Sequence, residues 1–148
     1  MTPITNIIAA DEDDYAAVGE SMRPLDEWSG IDGCGLDTAK VTMLHCLVTG
    51  DDYDLSLTLH EPSYVAEGGA VVLRLADRVL QKLAIFNEGA LGELSTELAA
   101  TVDFENEQWS VDDVHALLSE LAGLARLAES QDQSLFVWIH PAEAGGAD

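Results

Sequence analysis

Apolar residues recur at helical spacing in several segments of this chain. The spacing predicts helices around Val41–Val48, from Asp77 to Phe86, and over Ala90–Val102 and Ser110–Glu129. A shorter helix is predicted at Asp14–Met22. Asp37 is a candidate N-cap for the first of the long helices. Ser110 followed by Asp113 is an N-terminal capping signature, so the segment that they open is the strongest helix prediction.

Other segments have the composition or the alternation of β-strands. They are Ile4–Ile8, Tyr53–His60, Ala70–Leu75 and Ser134–Ile139. The second alternates strictly between apolar and polar residues, which predicts a half-buried strand. The third is apolar almost throughout, which predicts a central one. Residues 28–35 are rich in glycine and are expected to form an irregular loop.

These elements predict an α+β fold in which a small, mostly antiparallel sheet packs against about four helices. The 148 residues are the length of one ordinary domain, and the sequence contains neither an internal repeat nor a Pro/Ser-rich linker. We therefore expect one domain over residues 1–148. Residues 1–10 and 142–148 are expected to be loosely held.

The charge is the most unusual property of the composition. The chain has 28 Asp and Glu residues against six Lys and Arg residues, a formal net charge of −22 at pH 7. Nucleic-acid binding and attachment to anionic lipid both depend on clustered basic residues, so the sequence predicts neither a nucleic-acid partner nor a membrane partner. A charge of this size also exceeds what solubility requires.

The start of the chain has neither the basic residues nor the long apolar run of a secretory signal. Only two cysteines are present, Cys34 and Cys46, which is too few for a disulfide framework. We therefore expect a cytoplasmic protein with reduced thiols.

No catalytic or metal-binding pattern stands out. The four histidines, His45, His60, His115 and His140, lack the spacing of metal ligands. The sequence therefore predicts a protein that is not an enzyme and that uses no cofactor and no metal. A small metal-dependent hydrolase using His60 and His140, each at the end of a predicted strand, remains the less favoured alternative.

Several acidic clusters contain aromatic residues. Aromatic anchors inside an acidic rim suit the recognition of a basic protein. A high-salt host would also explain the acidity, so both explanations stay open. The predicted partner-binding residues are Trp28, Asp32, Asp51, Asp52, Tyr53, Asp54, Asp103, Phe104, Glu105, Glu107 and Trp109.

Two motifs resemble those of small uncharacterised bacterial proteins. They are Gly-Leu-Asp-Thr-Ala-Lys at residues 35–40 and Leu-His-Cys-Leu-Val-Thr-Gly at residues 44–50. The second is also similar to the domain-of-unknown-function family typified by YfbM. The resemblance extends over most of residues 28–139 and implies a compact cytoplasmic α+β domain. It brings no catalytic residues.

Size, charge and the lack of a catalytic pattern together favour a binding protein. The leading hypothesis is an immunity protein that neutralises a basic toxin or effector domain by occluding its active site. A chaperone for a secreted effector is the alternative. The sequence also leaves a homodimer open.

Overall fold

The computed structural model describes residues 4–21, 23–33, 36, 38–59, 64–66 and 69–140. The predictions for Asp37, Cys34, His60 and the tail 142–148 lie outside these residues, as does Met22 at the end of the predicted helix 14–22.

A five-stranded antiparallel sheet forms the centre of the fold; the antiparallel sheet is as the sequence predicts, but two of its five strands are not. Its strands are β1 Ile4–Ala10, β2 Ser29–Asp32, β3 Tyr64–Val65, β4 Val71–Arg74 and β5 Ser134–His140. The strand order is β2-β1-β5-β4-β3. Val137 in β5 lies opposite Ile7 on one side and opposite Leu73 on the other. The two ends of the described chain are therefore hydrogen-bonded neighbours at the middle of the sheet.

Eight α-helices accompany the sheet in the described part of the chain. They are α1 Tyr15–Glu20, α2 Pro24–Glu27, α3 Thr38–Thr49, α4 Tyr53–Leu59, α5 Asp77–Ile85, α6 Glu88–Ala99, α7 Val102–Asn106 and α8 Val111–Ser130. The capping box predicted at the start of α8 is present. The predicted helix 90–102 is shorter than expected, because α6 ends at Ala99 and α7 begins at Val102. No helix of the described residues is both long enough and apolar enough to cross a membrane.

The sheet has an apolar core on each face. Ile7 and Ala9 point to the larger one, where apolar residues of α3, α5, α6 and α8 surround them. Ile8 and Ala10 point to a smaller one, which contains Val18 of α1. Five of the eight described helices, including α7 through Phe104, contribute to the larger core, so the predicted α+β architecture is confirmed with more helices than the four expected.

The N-terminal strand corrects one expectation. Residues 4–10, expected to be loose, form β1, and every residue of this strand after Ile4 is buried. Apolar side chains that alternate between the two cores fix this segment from both faces.

The segment that begins at Tyr53 corrects another. It is the helix α4 rather than a strand, and Ser56 is buried in it while Leu55 and Leu57 remain exposed. Ser56 N donates a hydrogen bond to Asp52 O, and Cys46 Sγ in α3 donates one to Ser56 Oγ. Contact with α3 therefore overrides the strand-like alternation of this segment.

Candidate partner-binding surface

A tight turn joins α7 to α8 and fixes the position of Trp109. Gln108 has a positive φ of 63°. Its N–H donates to Glu105 O, and Trp109 N–H donates to Phe104 O. These two bonds form a Schellman motif, which is commonly closed by an apolar contact between the residues that occupy the positions of Trp109 and Phe104. The two rings meet edge to face here, with their centroids 5.2 Å apart.

A buried lysine ties this turn to α3. The side chain of Lys40 is 1% exposed, and its Nζ lies 2.7 Å from Glu107 Oε2, while the Glu107 side chain remains 48% exposed. Nζ also lies 6.0 Å from the centroid of the Phe104 ring. One face of Glu107 is therefore bound within the protein, and the other is open to solvent.

A groove of about 390 Å³ opens beside this turn. We call it the Trp109 groove. Its apolar wall comes from a half-buried indole and from the adjoining face of α8, and three carboxylates line it. The lining residues are Glu107, Gln108, Trp109, Asp113, Ala116, Leu117 and Glu120. The groove therefore combines an aromatic surface with concentrated negative charge.

The second acidic cluster, at residues 51–54, also lies against α3. His45 is completely buried, and its Nε2 lies 2.8 Å from Asp51 Oδ2. Because a carboxylate only accepts, Nε2 carries the hydrogen and donates it. Arg78 Nη1 lies 3.2 Å from the same oxygen. The hydrogen bond from His45 holds the pKa of Asp51 below its usual value, helped by Thr49 and Arg78 and opposed by burial.

The depressed pKa of Asp51 makes the stability of the protein depend on pH. An unfolded aspartate titrates near about pH 3.9, and the folded-state value is lower. The ionised carboxylate therefore stabilises the fold above that unfolded-state pKa, and this contribution disappears as the pH falls through the folded-state pKa. We expect Asp51→Asn to lower Tm at neutral pH and the difference from wild type to shrink below about pH 4.

Asp52→Asn is the matched control for this titration, because the neighbouring Asp52 is exposed. It removes the same charge and so corrects for relief of repulsion in an acidic protein. Thermal unfolding of the three proteins from neutral to acid pH measures the effect. A Tm difference for Asp51→Asn that stays constant with pH, or that Asp52→Asn reproduces, would contradict it.

The structure gives two predicted partner-binding residues other roles. Phe104 is 0% exposed and belongs to the main core, so the prediction that it contacts a partner directly is wrong. Its ring supports Trp109 from behind instead. Asp51 is only 16% exposed and is bonded to His45 and Arg78, so it is a structural carboxylate rather than one displayed to a partner.

The other predicted residues do not form one continuous surface. Trp28 packs against the smaller core, on the face of the sheet opposite to the core against which Trp109 packs. Asp32 lies at the end of the edge strand β2. Asp52, Tyr53 and Asp54 are exposed around the start of α4. The alternation of aromatic and acidic residues in sequence therefore does not predict which of them share a surface.

The cluster at residues 103–109 comes closest to the predicted arrangement. Glu105 is exposed, Glu107 is half-exposed and Trp109 is half-buried, all at the turn between α7 and α8. Asp103 lies in α7, and its side chain is outside what the structure describes. This turn is the part of the predicted surface that contains a groove.

Sequence reasoning missed the α8 side of the groove. Asp113, Ala116, Leu117 and Glu120 have the spacing i, i+3, i+4, i+7, which places them on one face of a helix. That spacing was available in the sequence. The participation of Lys40 was not, because its partner Glu107 is 67 residues away.

The described histidines lie in separate places. His45 bonds to Asp51, His115 lies 3.4 Å from Glu88, and His140 stacks on Trp138. Among the residues that the structure describes, no three His, Cys, Asp or Glu side chains are grouped so as to hold a metal ion.

Comparison with models of known families, with curated proteins and with solved structures gives no match.

Proposed function

We propose that this chain is an acidic cytoplasmic binding protein for a basic protein partner. In its most specific form, the proposal is an immunity protein that occludes the active site of a basic toxin or effector domain.

The observation that carries the proposal is which groups the basic side chains contact. Five of the six contact carboxylates or backbone carbonyls of the chain itself. The carboxylates far outnumber the basic side chains, so most of them have no basic side chain to balance their charge, and the formal net charge is −22. The five are Arg23, Lys40, Arg74, Arg78 and Arg126.

This charge affects both the rate at which the protein meets a partner and the kind of partner that it binds. A strongly negative net charge attracts a positively charged partner over several ångströms and raises the rate of encounter, and it repels most other acidic proteins. The exposed residues Asp52 and Asp54 flank Tyr53 in the sequence, and Glu107 lines the same groove as Trp109. The negative charge speeds the encounter with the partner, and the partly exposed aromatic rings form contacts from which water is excluded.

The test begins with capture of partners by tagged protein from the native cells at low salt, followed by kinetics with the purified partner. We expect a basic protein in a one-to-one complex. We expect its association rate constant to fall about tenfold or more as the salt concentration rises, because screening weakens the attraction. Asp52→Asn/Asp54→Asn should slow association more than Glu93→Gln/Glu97→Gln, which removes equal charge from α6.

The toxic or enzymatic activity of the partner then separates the two candidate functions. Inhibition of that activity in the complex is expected of an immunity protein. A partner held as an effector segment, with the activity of its folded domain unchanged, would instead support the chaperone alternative. Failure to capture any basic partner, or association that does not respond to salt, would overturn the proposal.

A further inference from the structure

The Trp109 groove has two walls of different chemistry, and few ligands make favourable contacts with both. One is apolar and is made by the Trp109 indole with Leu117 and Ala116 of α8. The other is made by the carboxylates of Glu107, Asp113 and Glu120. A ligand that fills this groove needs a flat or extended apolar part and a positive charge.

We propose that the Trp109 groove receives an arginine side chain of the partner. This inference rests on the proposed function, since it names the group by which a basic partner is held. The guanidinium is the cation that matches both walls, because its plane stacks on an aromatic ring while its edge donates to carboxylates.

Arginine fits this arrangement better than lysine does. The lysine ammonium satisfies the charge but cannot stack, and it is more strongly hydrated. The three methylene groups of arginine would lie along Leu117 and Ala116, as such stems do on apolar surfaces. Two carboxylate oxygens can each accept a bond from one guanidinium.

Two of the three carboxylates are already held in place by the protein. Glu107 is bonded to Lys40, and Asp113 Oδ2 accepts the backbone N–H of Ser110 in the capping box. Binding therefore does not have to order these side chains, which reduces its entropic cost. Glu120 lies one turn after Ala116 on the exposed face of α8 and makes the third contact.

The second groove of the described structure, of about 460 Å³, offers a contrast. It is also lined by acidic residues, among them Glu12, Asp77 and Glu129, but Arg74 lies within it. Arg74 Nη2 is 3.2 Å from Asp77 Oδ1 and its Nη1 is 3.6 Å from Glu12 Oε2. The protein's own guanidinium occupies that acidic groove, whereas the Trp109 groove is lined by acidic groups with an aromatic ring and no basic side chain.

The first experiment titrates the protein with a short amidated peptide that contains one arginine, and with the same peptide containing lysine. The indole N–H signal of Trp109 is followed by NMR and is assigned with Trp109→Phe. We expect the arginine peptide to shift this signal and the lysine peptide to shift it several-fold less at equal concentration. Ala116→Leu, at an exposed helical position, should fill the groove and abolish the shift.

The second experiment uses the captured partner. Ala116→Leu, which fills the groove, and Glu120→Gln, which removes a charged contact, should each raise the Kd for the partner about tenfold. Glu97→Gln, which removes the same charge from the exposed face of α6, should leave Kd unchanged. On the partner, substitution of one arginine should weaken binding to the wild-type protein but not to the Ala116→Leu variant. A double-mutant cycle measures this difference.

The outcomes separate the two proposals. If a basic partner binds with salt-dependent kinetics but tolerates Ala116→Leu and Glu120→Gln, the arginine groove is wrong and the binding function stands. If arginine and lysine peptides shift the Trp109 signal equally or not at all, the groove assignment is overturned whatever the partner is. If no basic partner is captured, the proposed function itself fails.

Discussion

Replacing Phe104 with alanine is expected to lower the free energy of unfolding by about 3–5 kcal/mol, the usual cost of truncating a fully buried phenylalanine. Phe104 is 0% exposed and belongs to the main core. Its ring is also the surface against which Trp109 packs at 5.2 Å. The substitution should therefore leave a cavity and loosen the turn that carries the partner groove.

Chemical denaturation followed by circular dichroism measures this loss. Phe104→Leu keeps most of the apolar volume and should cost less than half as much. Val102→Ala is the matched control on the same helix, because Val102 is 69% exposed, and it should change stability by about 0.5 kcal/mol or less. A loss for Phe104→Ala no larger than that of Val102→Ala would mean that Phe104 is not a core residue.

Those parts of the fold that carry several agreeing signals were predictable from the sequence. The helix α8 has an apolar stripe over many turns and a capping box, and both its type and its start are confirmed. The strand β5 has the β-branched and aromatic composition of a buried strand, and its first five residues are buried. Such elements can be predicted from the sequence because local propensity, hydrophobic pattern and tertiary packing agree.

The segments that were mispredicted are those in which packing decides against the local pattern. In α4 the alternation at Tyr53–Leu59 favours a strand, but acidic residues at its start favour the first turn of a helix and Ser56 packs on α3. In β2 the glycines favour a loop. A Cβ at Gly30 would lie 2.6 Å from Ile7 O, so pairing with β1 requires glycine there.

The candidate site was predictable in its charge and in one of its aromatics, but not in its geometry. Phe104 lies between Asp103 and Glu105, and Trp109 follows Glu107-Gln108, yet the first ring is buried and the second is partly exposed. The difference comes from the left-handed backbone of Gln108, which reverses the chain after α7. Helix ends of this kind usually have glycine at that position, and glutamine gives no such signal.

Replacing Lys40 with alanine is expected to lower the free energy of unfolding by about 2–4 kcal/mol, because it removes a buried aliphatic stem and the ion pair with Glu107 together. Lys40 is 1% exposed and lies 2.7 Å from Glu107 Oε2. Lys40→Met separates these two contributions, since methionine keeps most of the stem and loses the charge. We expect Lys40→Met to lie within about 1 kcal/mol of wild type, because the carboxylate that it leaves behind is 48% exposed and is solvated by water.

The carboxylate side of the pair completes the cycle. Glu107→Gln should cost about 1–3 kcal/mol, because it removes the carboxylate that faces the buried Lys40 ammonium, while the amide oxygen of glutamine can still accept a hydrogen bond. In the Lys40→Met background the same substitution should cost little, since the charge that Glu107 balances is gone. Equal costs of Glu107→Gln in both backgrounds would contradict the ion pair as the link between α3 and the turn. A non-additive cycle would establish that Lys40 fixes Glu107 in place, which is the condition for Glu107 to present its open face in the Trp109 groove.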